Sequence, residues 1–298
     1  MYEAVSIAAT GLTNYQRRLD VIANNVANIN SAAFKSDRLD FKDALYTARY
    51  SPSYPRTPEG NQQKGHGVMI AGITKDYSTG SFERTDRPLD VALQSEGFFE
   101  LENSNGELVY SRNGSFEIGT GEDGNFLVNG DGYYIHDSTG ARIRVPEWTA
   151  SFQFNIDGSV TFSSRAAGDN SAAVDAIDGA DGDGDGAAAD DVAADGIDTE
   201  DAAAAETIEE TLQLGIYTFR NQTGLVSSGM GNYSESIASG EKTPAENIIL
   251  RQGNLEISNV KLSEEMTRMI RTQRVFQLSS RALQTADDME GIANNIRR

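Results

Sequence analysis

The sequence predicts a mainly β protein with α-helical termini, in which an all-β central domain carries N- and C-terminal helices that pair as a coiled-coil-like bundle. Three observations carry that expectation. Apolar residues recur at steps of three and four at both ends of the 298-residue chain. Short alternating segments punctuated by Asn-Gly and Asp-Gly fill the middle, and an Asp-, Gly- and Ala-rich stretch interrupts them.

The N-terminal stripe runs through Val5, Ala8, Leu12, Tyr15, Leu19, Ile22, Val26 and Ile29, a heptad seam. Asn24, Asn25, Asn28 and Asn30 cluster at its end, although Asn costs up to about 0.7 kcal/mol relative to Ala inside a helix. Two accounts fit. Asn28 and Asn30 suit a helix C-cap, while amide hydrogen bonds between helices would fix register in a packed bundle.

At the other end Leu262, Met266, Met269, Phe276 and Leu283 keep the rhythm, with Gln273 and Ser280 in the intervening slots. The stripe then drifts through Ala286, Met289, Ala293 and Ile296. Ser263 is placed to cap this helix, Glu264 and Glu265 fall in its first turn, and Arg297 and Arg298 close its last. A helix over 263–296 would be about 50 Å long at ~1.5 Å per residue. With 38% hydrophobic and 8% aromatic residues in the chain, the core is modest, so such a helix is expected to pack outside its own subunit.

Strands are predicted at 91–93, 98–101, 108–111, 115–118, 126–128, 133–136, 141–145, 152–155 and 159–162, and again over 211–219. Asn105-Gly106, Asn113-Gly114, Asn129-Gly130 and Asp157-Gly158 supply the tight turns, because these pairs tolerate positive φ. Upstream, Pro52, Pro55 and Pro58 mark an aperiodic, extended or looped stretch. The resulting division is an N-terminal helix over 1–34, an extended stiffening segment over 35–80, and a β-rich core over 81–165 and 202–245. An acidic insertion over 166–201 splits that core, and a connector and helix over 246–298 complete the chain.

The net charge of −20 is concentrated. Fifteen of the 45 acidic residues lie between Asp169 and Glu210, where no Lys or Arg occurs, so the rest sets 30 acids against 25 bases. The insertion cannot bury enough apolar area to offset ordering its backbone and reads as a solvated spacer. Within it Asp181, Asp183, Asp185 and Gly186 open a D-x-D-x-D-G calcium loop, but Val192 stands where the bidentate Glu belongs. That leaves a weak calcium possibility at most.

Enzymatic chemistry finds little support. The chain has no cysteine, which removes disulfides and thiol catalysis, and only His66 and His136. Gly119-Thr120-Gly121-Glu122-Asp123-Gly124 is a literal G-x-G-x-x-G, yet it opens no helix and its acids would repel a pyrophosphate; a hairpin turn is expected. No cofactor or catalytic site is assigned. Arg268, Arg271, Arg274 and Arg281 share their helix with Glu264, Glu265, Asp287, Asp288 and Glu290, which argues against nucleic acid. No run reaches the ~18 to 20 apolar residues of a membrane span, and the N-terminus lacks a cleavable secretory signal.

Several motifs resemble one family. Residues Ala23-Asn24-Asn25-Val26-Ala27-Asn28-Ile29-Asn30 followed by Phe34-Lys35 are similar to the N-terminal signature of flagellar basal-body rod and hook proteins. Gly253-Asn254-Leu255-Glu256-Ile257-Ser258-Asn259-Val260, with Glu265-Met266, Met269-Ile270 and Gln273-Arg274, resembles their C-terminal signature. Asp90-Val91-Ala92-Leu93, Gly97-Phe98-Phe99 and Tyr110-Ser111-Arg112-Asn113-Gly114-Ser115-Phe116 match the start of that family's β-domain. The segment after Phe41-Lys42-Asp43-Ala44-Leu45-Tyr46 looks most like the distal rod member.

The resemblance implies a structural subunit, exported through the flagellar type III apparatus, that polymerises into a helical tube transmitting torque from motor to hook. It implies a location in the extracytoplasmic basal body, contacts with neighbouring rod and hook proteins, and contacts with ring or bushing proteins around the rod. It also assigns an assembly interface to Val5, Leu12, Tyr15, Leu19, Ile22, Asn24, Asn25, Val26, Asn28 and Ile29, and to Ser258, Asn259, Val260, Met266, Met269, Gln273, Arg274, Phe276 and Leu283. A proximal rod or hook protein, or a non-flagellar surface or adhesion module, is the alternative. One departure stands out: the family has Thr-Pro-Gly or Thr-Thr-Gly before Phe-Lys, whereas Ser31-Ala32-Ala33 precedes it here, so the expected bend rests on no glycine.

Overall fold

The computed structural model describes residues 2–45, 47–49, 62–121, 124–164 and 208–296. The acidic insertion, with Asp181, Asp183 and Asp185, lies outside the described residues, as do Arg297 and Arg298. Two long helices flank a mostly β chain. Helix α1 spans Tyr2–Ala27 and helix α2 spans Leu262–Ile296, and the two contact each other. Helix α2 starts one residue before the expected Ser263 cap; the Lys261 carbonyl accepts from the amides of Glu264 and Glu265, so Ser263 already lies within the first turn.

The β-domain centres on a sheet of ten strands among the described residues, and its pairings are antiparallel. Strand Phe98–Glu102 is its hub, pairing with Leu108–Ser111, Tyr134–Ile135 and Ile216–Phe219. Successive side chains on a strand point to opposite faces, so adjacent Phe98 and Phe99 serve two cores. Phe99 joins Val91, Leu101, Phe116, Leu127 and Phe162 in the main cluster, and Phe98 joins Tyr110, Tyr217, Phe219, Leu225 and Tyr233 in an aromatic one. The strand is buried on both sides, which is why its sequence alternates only weakly.

The segment predicted as one strand over 211–219 is two. Glu209–Gln213 joins a three-stranded sheet with Ser151–Phe154 and Ser159–Ser163, while Ile216–Phe219 joins the large sheet. Gly215 makes the switch. Its amide and carbonyl bond His136 and Glu100, and a Cβ there would lie 2.8 Å from the Asp137 carbonyl oxygen. The G-x-G-x-x-G run is the hairpin turn expected, with Gly121 opposite Gly124 across strands Phe116–Gly121 and Gly124–Asn129. His136 sits against Glu102, with Nε2 2.9 Å from Oε2, in an ion-paired strand end.

The segment read as an extended stiffener is a paired ribbon where it is described. Asp37–Asp43 pairs with Val68–Lys75, and Thr47–Arg49 continues onto Gln62–Lys64. The ribbon lies on α1. Asn14 Nδ2 donates to the Val68 carbonyl at 2.6 Å, and the Tyr15 and Phe41 rings meet edge-on at 5.8 Å.

Candidate assembly interface

The helices converge on one junction. The bridge between Ala32 and Ile257 joins the end of α1 to the connector entering α2. Arg18, Val21 and Ile22 line a cleft with Glu265 and Arg268, so the helices leave the junction side by side in opposite chain directions. At ~1.5 Å per residue, 26 residues against 35 let α2 outrun α1 by about 13 Å.

On α1 the predicted stripe is the covered face: Val5, Leu12, Tyr15, Leu19, Val26 and Ile29 are half-buried and Ile22 is buried. On α2 the seam is rotated from the one predicted. Glu265 and Thr272 are buried, Met269, Phe276 and Leu283 half-buried, but Met266, Gln273 and Arg274 are exposed. Of the polar inward residues Thr272 is locally satisfied and Glu265 half so, its buried Oε2 having no hydrogen-bond partner among the described residues. Glu265 Oε1 pairs with Arg268 at 2.6 Å, and Thr272 Oγ1 donates to the Arg268 carbonyl at 2.8 Å. Of the predicted apolar seam Leu262, Met266 and Met289 are exposed, and with Ile270, Val275, Leu278 and Ile292, which the seam did not include, they leave α2 with apolar side chains away from its covered face.

The asparagines do not bridge the helices. Asn25 is buried and trades two hydrogen bonds with the backbone of Asp37, one from Nδ2 to the carbonyl at 2.8 Å and one from the amide to Oδ1 at 2.9 Å. It fastens the ribbon to α1. Asn28 Nδ2 donates to Asn24 and Ser31 Oγ donates to Asn28 Oδ1, so these residues close the helix end, as the capping account holds. Ser258, Asn259 and Val260 also act within the subunit. Ser258 and Val260 are buried, and Asn259 accepts from the Ser36 amide at 2.9 Å while donating to the Asp76 carbonyl at 2.8 Å.

Sequence reasoning missed the chemical centre of the junction. Lys35, Arg112 and Glu256, far apart in the chain, form a buried triad. Lys35 Nζ lies 2.7 Å from Glu256 Oε1 with both side chains at 0% exposure, and Arg112 Nε lies 2.9 Å from Oε2. Remaining donors are also satisfied. Lys35 donates to the Ser78 carbonyl, Arg112 to the carbonyls of Gly97, Leu93 and Ser95, and the Gly80 amide to Glu256. Gly80 must be glycine, because a Cβ would stand 1.9 Å from the Ile257 carbonyl oxygen.

Burial alone would raise the Glu256 pKa, but Arg112, Lys35 and the Gly80 amide outweigh it and hold the carboxyl below its ordinary value. Burial also pushes Lys35 down, against the pull of Glu256. The signal in the sequence is three charged residues set inside three signature motifs, whose meeting no local pattern reveals. Close by, the bend at Ser31-Ala32-Ala33 forms without glycine. Ala33 takes it at φ +54° while buried, and its amide bonds the Glu256 carbonyl at 2.7 Å.

Comparison with known proteins agrees with this arrangement along the chain. Residues 6–35 match the flagella basal body rod protein model, 92–162 the flagellar hook protein FlgE/F/G D1 domain, and 251–296 the C-terminal model of the flagellar basal body rod FlgEFG proteins. The flagellar basal-body rod protein FlgG of Borreliella burgdorferi is 33% identical over 311 aligned residues, covering 100% of both chains. The chain belongs to the FlgG-type flagellar basal-body rod family. FlgG of Bacillus subtilis is 31% identical with 100% of both chains covered, and FlgG of Agrobacterium fabrum 31% with 98% of each.

Membership makes the chain a structural component of the flagellum and not an enzyme. As a rod-family protein it assembles with other flagellar axial proteins. No helix among the described residues is long and apolar enough to cross a membrane. The three matched regions hold the three triad residues: Lys35 in the first, Arg112 in the second and Glu256 in the third.

Proposed function

We propose that this protein is the distal rod subunit, polymerising through its helix pair into a helical tube that transmits torque from motor to hook. The observation that carries the reading is the outward stripe of α2. Leu278 is 63% exposed, and Met289 and Ile292 are nearly as open, on a helix that already has a covered inner face. Exposed apolar rows of this kind mark contact surfaces. A second row of neighbours from other copies would cover it, and a heterologous contact whose rotation does not close gives an open helical filament.

In this reading the pairing of α1 with α2 becomes coiled-coil-like once neighbours complete it. The interface then comprises the α1 stripe with Met269, Phe276 and Leu283 inside, and Met266, Gln273 and Arg274 towards other copies. The subunit reaches the extracytoplasmic rod through the flagellar export apparatus without a cleaved signal, and ring proteins surround the finished tube.

The test is the pair Leu278→Asp and Met289→Asp in one chain. Circular dichroism should show an intact subunit, whereas cells carrying it should lack rods beyond the proximal segment and should not swim. Normal basal bodies built from the doubly substituted chain would refute the proposal.

A further inference from the structure

The three Asn-Gly pairs of the chain, Asn105-Gly106, Asn113-Gly114 and Asn129-Gly130, share one dipeptide and differ in what the fold does to it. Asparagine before glycine is open to attack by the following backbone nitrogen on its own side-chain carboxamide, because glycine has no Cβ to hinder the approach. Structure decides whether the attack can occur. The ring it forms requires the asparagine side chain to fold back over the next peptide bond, so a carboxamide held elsewhere, or a glycine wedged against its neighbours, is protected.

Two of the pairs are held. Asn129 is buried, its Oδ1 accepts from the amides of Asp131 and Tyr133 at 2.9 and 3.0 Å, and its Nδ2 donates to Asp131. Asn113 Oδ1 accepts from the Ser115 amide at 3.1 Å, and Gly114 is packed so closely that a Cβ would lie 1.7 Å from the Val91 carbonyl oxygen. Asn105-Gly106 differs on each count. It forms the tip of the hairpin joining Phe98–Glu102 to Leu108–Ser111, both its residues are exposed, and the Asn105 side chain has no hydrogen-bond partner among the described residues. The Gly106 amide donates to the Asn103 carbonyl at 2.9 Å and must be released first. An exposed turn opens at little cost, whereas a turn bonded into the core does not.

We propose that Asn105 is a site of spontaneous deamidation through its own backbone, and that the fold protects Asn113 and Asn129 from the same reaction. The Gly106 nitrogen gives up its proton and bonds to Asn105 Cγ, the Cγ–Nδ2 bond breaks, and the departing nitrogen takes a proton and leaves as ammonia. Water then opens the succinimide at either carbonyl to give aspartate or isoaspartate. The net change is one water consumed, one ammonia released and one carboxylate gained. That carboxylate forms near another: the position of a Cβ on Gly106 lies 3.7 Å from Glu102 Oε1, and Glu102 is the acid that holds Arg142 and His136. The isoaspartyl product also lengthens the turn by a methylene. Its strands stay paired, because the last partners, Glu102 and Leu108, flank the altered residue.

The full chain is incubated in mildly alkaline buffer, folded and in urea, and the three asparagines are followed by peptide mapping with mass spectrometry, isoaspartate being located by enzymatic methyl transfer. In the folded chain Asn105 should convert at least ~10-fold faster than Asn113 or Asn129, since the local opening that each requires differs. In urea the three rates should converge, because only the dipeptide itself then matters. Equal rates in the folded chain, a slower Asn105, or a difference that persists in urea would each overturn the proposal. Asn105→Gln, whose longer side chain closes its ring far more slowly, provides the second arm. It should remove most of the isoaspartate recovered from β-domain peptides of the folded chain at an unchanged melting temperature, and a parental yield would overturn the assignment.

Discussion

The junction and the helix pair solve opposite problems with similar residues. At the junction, Lys35, Arg112 and Glu256 are buried and each charge meets a partner or a carbonyl inside the subunit. Along α2, apolar side chains from Ile270 to Ile292 are left in solvent. One region is complete in the single chain and the other is not. A closed polar network specifies a unique arrangement of elements, whereas an open apolar face stores free energy for association. The contrast separates a polar junction closed within the chain from an apolar face left open.

Removing the triad's anion should have the largest effect on the subunit. Glu256→Gln leaves Lys35 and Arg112 buried without a counter-charge, and breaking a buried pair in this way costs about 3–5 kcal/mol. Urea denaturation should show that loss; a change within the error of the parent curve would mean that the junction is not the closed unit described. Gly80→Ala should follow at about 1–3 kcal/mol, because the ribbon must shift away from Ile257 and the amide bond to Glu256 is lost.

Acid should weaken both the junction and the strand end held by Glu102. Glu256 is held below its ordinary value, and hydrogen bonds from Arg142, opposed by burial and joined by His136, bring Glu102 down to about 2. A depressed carboxyl binds fewer protons folded than unfolded, so its stabilisation is complete above the ordinary glutamate value near 4.5 and is lost as pH falls below it. Melting followed from pH 7 to 2 should therefore be flat above about 5 and fall below it, and Glu102→Gln should reduce the slope. A profile that rises on acidification would contradict the assigned pairs.

The smallest effects sharpen the contrast from the other side. Leu278→Asp with Met289→Asp should change subunit stability by no more than about 0.5 kcal/mol, as for other surface positions, although under the proposed function it should abolish assembly. Ala33→Gly relieves a left-handed alanine and gives up a buried methyl, and the two are each near 1 kcal/mol and opposed. Thermal melting should find it close to neutral.

Much of the architecture is legible because it is written locally. The α1 seam, the positive-φ turns at Asn105-Gly106 and Asp157-Gly158, and the hairpin at Gly121 and Gly124 depend on neighbours a few residues away, whereas Gly114 and Gly130 do not take the positive φ predicted for them: Gly114 lies against the Val91 carbonyl and the turn after Asn129 uses Gly132. What local pattern misplaces is equally specific. The inward face of α2 lies rotated from the predicted seam, since apolar residues on two faces give no single stripe, and only the packing of Glu265 and Thr272 decides which faces in. Asn25 fits a bridge between helices by its position in the string, and it holds a strand instead.

The sequence by itself determined two terminal helices, a β-rich middle, and membership of a rod family, because periodicity, turn chemistry and motif order are properties of a linear string. Only tertiary structure decided that Lys35, Arg112 and Glu256 meet and that Phe98 and Phe99 feed separate cores. These depend on which distant segments share a volume. Burial then turns an ordinary charge into a constraint.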